Sequence, residues 1–320
     1  MRALVTGASG FVGGHLTGYL LAEGWEVWGC SMRPPLVVGD ARGGARFLVA
    51  DLRCARAARA VIQEARPQAL FHLAAQAAVG PSHEDPWETL SANISMQTHV
   101  LEAVRRYHPD CAVLVVGSGE EYGLARPEDL PLNEGAPLRP ASPYAVSKVA
   151  QDFLGLQYHL SYGVRTVRVR PFNHVGPGQG PGFVAADFAR QLVEAEMGLR
   201  PARITVGNLE AERDFTDVRD VVRAYVGLIQ SQRWGEVFNV ASGQAVPVRR
   251  LLDLMLAESR VQVEVQPDPA RMRPSDVPVL VGDAARLREA IGWQPSISLE
   301  QTVRDVMNYW RKELASERGQ

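Results

Sequence analysis

Tyr144 and Lys148 stand four residues apart in Tyr144-Ala-Val-Ser-Lys148. On a helix this spacing puts both side chains on one face. An ammonium beside a phenol favours the phenolate, so the pair is expected to draw the Tyr144 pKa down from about 10 toward working pH. Such a Tyr can exchange a proton with a sugar hydroxyl or ketone while a hydride moves elsewhere. The same spacing also occurs on ordinary solvated helix faces. The pair gains meaning only from what the rest of the chain carries.

Thr6-Gly7-Ala-Ser-Gly10-Phe11-Val12-Gly13 follows a short apolar run and opens a helical stretch. Glycines there let the backbone turn tightly and approach a pyrophosphate, while the helix N-terminus offers N–H groups and a positive dipole end. A dinucleotide is therefore the expected ligand. An acidic residue after the second strand would hold an NAD ribose. This chain has Cys30-Ser31-Met32-Arg33 instead. Ser31 and Arg33 suit a 2′-phosphate, so NADP(H) is favoured over NAD(H). Asp51 could accept from the adenine amine, or cap a helix, or both.

The elements that must position these groups are legible as alternating runs. Strands are expected at Ala3–Thr6, Glu26–Cys30, Phe47–Ala50, Ala69–His72, Ala112–Val116 and Arg165–Arg170. Helical patterns lie at Phe11–Glu23, Trp87–Tyr107 and Tyr144–Tyr162. The alternation predicts an α/β fold, a doubly wound parallel sheet covered on both faces. After Pro171 the pattern changes. A turn-rich loop spans Asn173–Gly182, then shorter elements and helices at Val218–Gln230 and Leu299–Leu314. The expected division is a Rossmann-like domain over 1–170 and a smaller, discontinuous α/β substrate lobe over 171–320. The chain is expected to return to the sheet near Glu236–Val240, within a return segment near 236–258.

Composition narrows the function classes. The chain has 320 residues, 46% hydrophobic and 22% charged, with net charge −2. That reads as globular, and the absence of a basic run argues against nucleic acid. No apolar run is long enough to span a membrane. Cys30, Cys54 and Cys111 have no metal or redox spacing, so no metal site is expected and a reducing, cytoplasmic setting is.

Gly7-x-x-Gly10-x-x-Gly13, Leu73-Ala74-Ala75, Asn93, Ser118 and Tyr144-x-x-x-Lys148 together resemble the extended short-chain dehydrogenase/reductase family. The resemblance covers nearly the whole chain. It implies an NAD(P)-dependent oxidoreductase of nucleotide-linked sugars. Ser118 would orient the reacting carbonyl, Tyr144 would move the proton, and Lys148 would hold the nicotinamide ribose. Gly7, Gly10, Phe11, Val12, Gly13, Ser31, Arg33, Asp51, Leu52, Leu73, Ala74 and Ala75, with Tyr144 and Lys148, would form the cofactor site. Family members commonly pair as homodimers through a four-helix bundle. The matching helices here are Trp87–Tyr107 and Tyr144–Tyr162.

The second half resembles the GDP-mannose branch of that family, which contains 4,6-dehydratases and GDP-6-deoxy-D-mannose reductases. Arg170-Pro-Phe-Asn173-His-Val-Gly-Pro177, Gly182-Phe-Val184, Gly207-Asn208-Leu209, Arg213-Asp-Phe-Thr-Asp-Val218 and Arg273-Pro-Ser-Asp276-Val277 carry that likeness. By it, Arg213 and Arg273 would grip the diphosphate, and Asp276 would hold the ribose hydroxyls. The alternative is that Arg213 and Arg273 form structural ion pairs with Asp214, Asp217 or Asp276. Asn173 would contact the sugar or diphosphate, Val184 and Asn208 would line the site, and Asp187 would accept from a guanine edge or lie on a helix surface.

Ser118-Gly119-Glu120-Glu121-Tyr122 bears on the reaction. Glu120 stands where dehydratases carry an extra acid/base, but Gly119 replaces the second acid of nucleoside-diphosphoglucose dehydratases. Phe11-Val12 and Ala185-Ala186-Asp187 depart from the GDP-mannose dehydratase pattern. The resemblance therefore implies reduction of the 4-keto group of GDP-4-dehydro-6-deoxy-D-mannose to GDP-D-rhamnose. GDP-mannose 4,6-dehydration, then 4-epimerisation of a nucleotide sugar, are the alternatives.

Overall fold

The computed structural model describes residues 1–33, 44–77, 79–271 and 277–318. Its first half lays down β1 (Arg2–Thr6), β2 (Glu26–Ser31), β3 (Arg46–Val49), β4 (Ala69–His72), β5 (Ala112–Val116) and β6 (Thr166–Pro171). Between them run α1 (Phe11–Ala22), α2 (Ala55–Ala65), α3 (Val79–Glu84), α4 (Pro86–Tyr107) and α5 (Pro143–Tyr162). The second half contains β7 (Asn173–Val175), α6 (Val184–Glu196), β8 (Arg203–Val206), β9 (Glu212–Asp217), α7 (Val218–Ser231) and β10 (Val237–Val240). It ends with β11 (Ala245–Pro247), α8 (Val248–Glu258), β12 (Glu264–Pro267), β13 (Val279–Leu280), α9 (Ala285–Ile291) and α10 (Leu299–Arg318).

Seven parallel strands form one sheet among the described residues, in the order β10-β6-β5-β4-β1-β2-β3. Runs such as Ala-Val-Leu-Val-Val in β5 are buried almost throughout, as a sheet covered on both faces requires. The order reverses between β1 and β4, and the crevice beyond the strand ends at such a point is where a nucleotide sits. β10 pairs with β6 in parallel, so the chain does return to the sheet after leaving it.

Three apolar cores result among the described residues. One joins the sheet to α1, α7 and α9, and includes Leu16, Leu20, Val222, Tyr225 and Leu287. A second covers the other face with α2, α4 and the end of α5, through Ile62, Leu101, Val104 and Tyr158. The third is separate from the sheet and gathers Leu192, Ile204, Leu252, Met255, Val306 and Trp310 from α6, β8, α8 and α10. Helix α7 thus packs on the sheet although its sequence lies in the second half. No helix among the described residues is long and apolar enough to cross a membrane.

Candidate active site

A cavity of about 980 Å³ runs from the C-terminal ends of β1, β4 and β5 to the wall formed by α6, β7 and β9. Its floor is the glycine turn. Gly7 has φ +69°, and a Cβ there would stand 2.9 Å from the Ala74 nitrogen. A side chain on Gly13 would collide with the Gly7 carbonyl. Helix α1 begins at Phe11 with Gly10 as its N-cap and no side-chain cap, which leaves the first-turn N–H groups to the cavity. These features fit a dinucleotide pyrophosphate. Gly7, Gly10, Phe11, Val12, Gly13, Leu52, Leu73, Ala74 and Ala75 all line the cavity, as do Ser31 and Arg33.

The details at the β2–β3 end differ from expectation. The Ser31 hydroxyl is engaged within the protein: it donates to the Cys30 carbonyl (2.8 Å) and accepts from the Ser9 N–H (2.9 Å). It shapes the glycine turn as well as facing the cavity. Asp51 does not line the cavity. Its carboxylate accepts three bonds of 2.8–3.1 Å from the Arg53 guanidinium and one of 3.0 Å from the Arg53 N–H. Nor does it cap α2, whose N-cap is Cys54. Arg53, which sequence reasoning passed over, lines the cavity in its place.

Ser118, Tyr144 and Lys148 all line the cavity, the last two from one helix. Helix α5 starts at Pro143, with the Ser142 hydroxyl accepting from the Ala145 N–H at 3.1 Å, and ends at Gly163 in the left-handed region. The helix therefore presents Tyr144 and Lys148 in its first turns. Both are buried against the cavity, and Ser118 hydrogen-bonds Tyr144. The Lys148 ammonium donates to the Val116 carbonyl at 3.0 Å and lies 5.8 Å from the centre of the Tyr144 ring.

The electrostatics correct one expectation. Tyr144 is raised above its ordinary value, not lowered, because burial and the charges of Glu120 and Glu121 outweigh the Ser118 hydrogen bond. Lys148 is pulled down to about 8 by burial, with Glu121 opposing. At neutral pH the pair is a phenol beside an ammonium. That pair can give a proton; it is not poised to take one.

The two adjacent carboxylates diverge. Glu120 lines the cavity, whereas Glu121 is fully buried behind it. The Glu121 carboxylate accepts from the Ser118 N–H at 2.8 Å and so fixes the turn that aims Ser118.

On the opposite wall, Asn173, Val184, Asp187, Asn208 and Arg213 all line the cavity. Arg213 donates to the Glu212 and Val277 carbonyls at 2.9 and 2.7 Å, while the neighbouring Asp214 turns away to Ser242, Gly243 and Gly282. Asp187 accepts from the Gly182 N–H at 2.9 Å and faces Arg271 at 3.9 Å. Arg271 also lines the cavity and was not foreseen. Arg273 and Asp276 lie outside the described residues.

The model of a family described as GDP-mannose 4,6 dehydratase matches residues 4–306. The chain belongs to the GDP-mannose 4,6 dehydratase family. Within it, the chain is similar to GDP-6-deoxy-D-mannose reductase of Pseudomonas aeruginosa, 36% identical over 318 residues covering 99% of each chain. It is also similar to GDP-mannose 4,6 dehydratase 2 of Arabidopsis thaliana, 31% identical over 324 residues covering 96% of this chain and 86% of the relative. Among solved structures it matches that of RMD from Pseudomonas aeruginosa complexed with NADPH, with TM-score 0.85, 34% identity, and 98% and 100% of the two chains covered. Relatives named for both activities thus match most of this chain in sequence.

A buried ionic cluster underlies this family member's site. Arg170 on β6 binds Asp152 on α5 at 2.6 and 2.9 Å, meets Glu121 at 3.1 Å, and donates to the Tyr122 hydroxyl at 3.1 Å. Arg168 adds a third bond to Asp152 at 2.7 Å. Burial and Asp152 raise Glu121 well above the usual carboxylate range. Asn93 works on the other side of α5: it donates to the Ser147 hydroxyl (2.9 Å) and the Gln76 carbonyl (3.1 Å), and accepts from the Gln76 N–H (2.7 Å). It pins the turn after β4 to the catalytic helix. Only the resemblance had singled out Asn93. Nothing in local sequence marks Arg170 and Asp152 as partners, because they meet only when α5 lies on the sheet.

Proposed function

We propose that this protein reduces the 4-keto group of GDP-4-dehydro-6-deoxy-D-mannose to GDP-D-rhamnose, with NADPH preferred over NADH. One arrangement carries the reading: Tyr144, Lys148 and Ser118 meet in the wall of the cavity, with the Tyr144 phenol raised above its ordinary value by burial. When bound, NADPH supplies the hydride. Gly7, Gly10, Phe11, Val12 and Gly13 hold the pyrophosphate. Ser31 and Arg33, with no acidic residue beside them in Cys30–Arg33, favour the 2′-phosphate. Leu52, Leu73, Ala74 and Ala75 give the adenosine apolar walls.

In this reading Ser118 donates a hydrogen bond to the C4 oxygen and stabilises charge as it develops. Tyr144 passes its phenolic proton to that oxygen. The Lys148 ammonium holds the ribose hydroxyls and, being cationic, stabilises the phenolate left behind. Asn173 and Arg213 hold the sugar and diphosphate, joined by Arg273 and Asp276. Asp187, with Val184 and Asn208 alongside, faces the base. The similarity to the Pseudomonas aeruginosa reductase over the whole chain supports the substrate.

Dehydration of GDP-mannose is the second reading, and Glu120 favours it. Its carboxylate lines the cavity two residues from Ser118, where a base for elimination would stand. Purified protein incubated with GDP-mannose, with and without a separate dehydratase, separates the two by absorbance at about 340 nm. Cofactor oxidation only with the dehydratase present supports reduction. Keto sugar formed from GDP-mannose alone overturns it.

The same reading includes a homodimer and a cytoplasmic setting. Val146, Phe153 and Leu160 recur every seventh residue on α5 and are 44%, 50% and 73% exposed. That row of exposed apolar side chains suits contact with a second copy of the same helix.

A further inference from the structure

Gln179 sits on the loop between β7 and α6 and is only 5% exposed, yet it lines the cavity. Its Nε2 donates to the His174 carbonyl at 3.1 Å. That bond fixes the amide: the nitrogen faces a carbonyl, so the oxygen must point the other way. Gln179 Oε1 is buried and has no hydrogen-bond partner among the described residues. Asn173 Oδ1, on the preceding strand β7 and also at the cavity, is in the same condition among the described residues. Buried acceptors are nearly always paired, and two that are not, in one cavity wall, point to a donor on a ligand.

This segment is held firmly enough to present them. His15 Nε2 donates to the Pro177 carbonyl at 2.8 Å, and the Phe11 ring stacks on His174 at 6.1 Å. The ring of Phe172, just before Asn173, packs so tightly on Gly119 that a Cβ there would stand 3.0 Å away. Asn173 therefore flanks the turn that carries Ser118. Phosphate oxygens only accept at neutral pH, so a diphosphate gains nothing from these two groups. Sugar hydroxyls donate.

We propose that Gln179, through Oε1 and together with Asn173 Oδ1, accepts hydrogen bonds from ring hydroxyls of the bound hexose and makes the site selective for a hydroxylated sugar. This rests on reading the cavity as a GDP-hexose site.

Calorimetric titration of the NADPH-loaded protein with GDP and with GDP-mannose tests it. Gln179→Met keeps the length of the side chain and removes the acceptor together with the Nε2 donor to the His174 carbonyl. It is expected to weaken GDP-mannose about five- to tenfold and leave GDP unchanged. The loss should vanish with whichever of the 2-deoxy and 3-deoxy analogues lacks the partner hydroxyl. Equal weakening of GDP and GDP-mannose would mark Gln179 as merely structural and overturn the proposal. Weakened NADPH with unchanged GDP-mannose would reassign the acceptor to the nicotinamide amide, and overturn it too. If Gln179→Met does not fold, the natural protein decides: both deoxy analogues binding as tightly as GDP-mannose refutes the idea. GDP-mannose binding no tighter than UDP-glucose is a different failure, that of the GDP-hexose reading itself.

Discussion

Arg170 and Asp152 share two hydrogen bonds of 2.6 and 2.9 Å in a fully buried setting, and so clamp helix α5 onto strand β6. Tyr144 and Lys148 ride on that helix, one to two turns before Asp152. Removing one partner of such a pair leaves a buried charge without compensation. Asp152→Ala is expected to cost about 3–5 kcal/mol of stability. Denaturant unfolding followed by circular dichroism measures it; a loss below about 1 kcal/mol would show that the clamp adds little.

Tyr144→Phe removes the proton donor and leaves the ring. Turnover of the keto sugar should fall by about 10²–10⁴-fold, while GDP affinity stays unchanged. Steady-state kinetics beside GDP titration read both quantities. Near-normal activity in this variant would refute proton donation by Tyr144.

Burial holds Lys148 at about 8. Below that pH it is cationic and supports both the ribose and the developing phenolate. As pH rises through about 8 the charge is lost, so kcat/KM for reduction should decline with an apparent pKa near 8. A pH series between about 6 and 10 tests this, with Lys148→Met expected to show a low, flat profile over the same window. A step that persists in Lys148→Met belongs to another group.

Arg33 is exposed at the end of β2 and lines the cavity beside Ser31. Arg33→Ala is expected to raise KM for NADPH about tenfold and to leave KM for NADH nearly unchanged, because only the former presents a 2′-phosphate. Parallel titration with the two cofactors makes the comparison. Equal effects on both would remove Arg33 from cofactor selection.

Phe153 and Leu160 lie one heptad apart on α5, half or more exposed. Phe153→Asp with Leu160→Asp should convert a dimer to a monomer without loss of secondary structure, since neither residue supports the monomer core. Light scattering after size exclusion gives the mass directly. A natural protein already monomeric at micromolar concentration would end the dimer proposal.

Much of this molecule is local in its sequence. The strands at Ala69–His72 and Ala112–Val116 match expectation residue for residue, because continuous apolar runs between turns admit no other placement in a parallel sheet. The glycine turn and the Tyr144–Lys148 spacing are local as well: backbone freedom at Gly7 and the pitch of α5 are written in neighbouring residues. What the sequence could not supply was burial and partnership. Tyr144 was expected to be acidified by its helical neighbour. Its enclosure by the cavity wall and the nearby carboxylates decides otherwise, since desolvation depends on what folds around a group and not on the residues beside it. Asp51 is claimed by Arg53, Glu121 retires into the cluster with Arg170 and Asp152 while Glu120 faces the cavity, and Gln179 turns an unpaired oxygen inward. Each of these outcomes depends on where separate elements meet, and helix α5, strand β6 and the loop between β7 and α6 meet only in the folded chain.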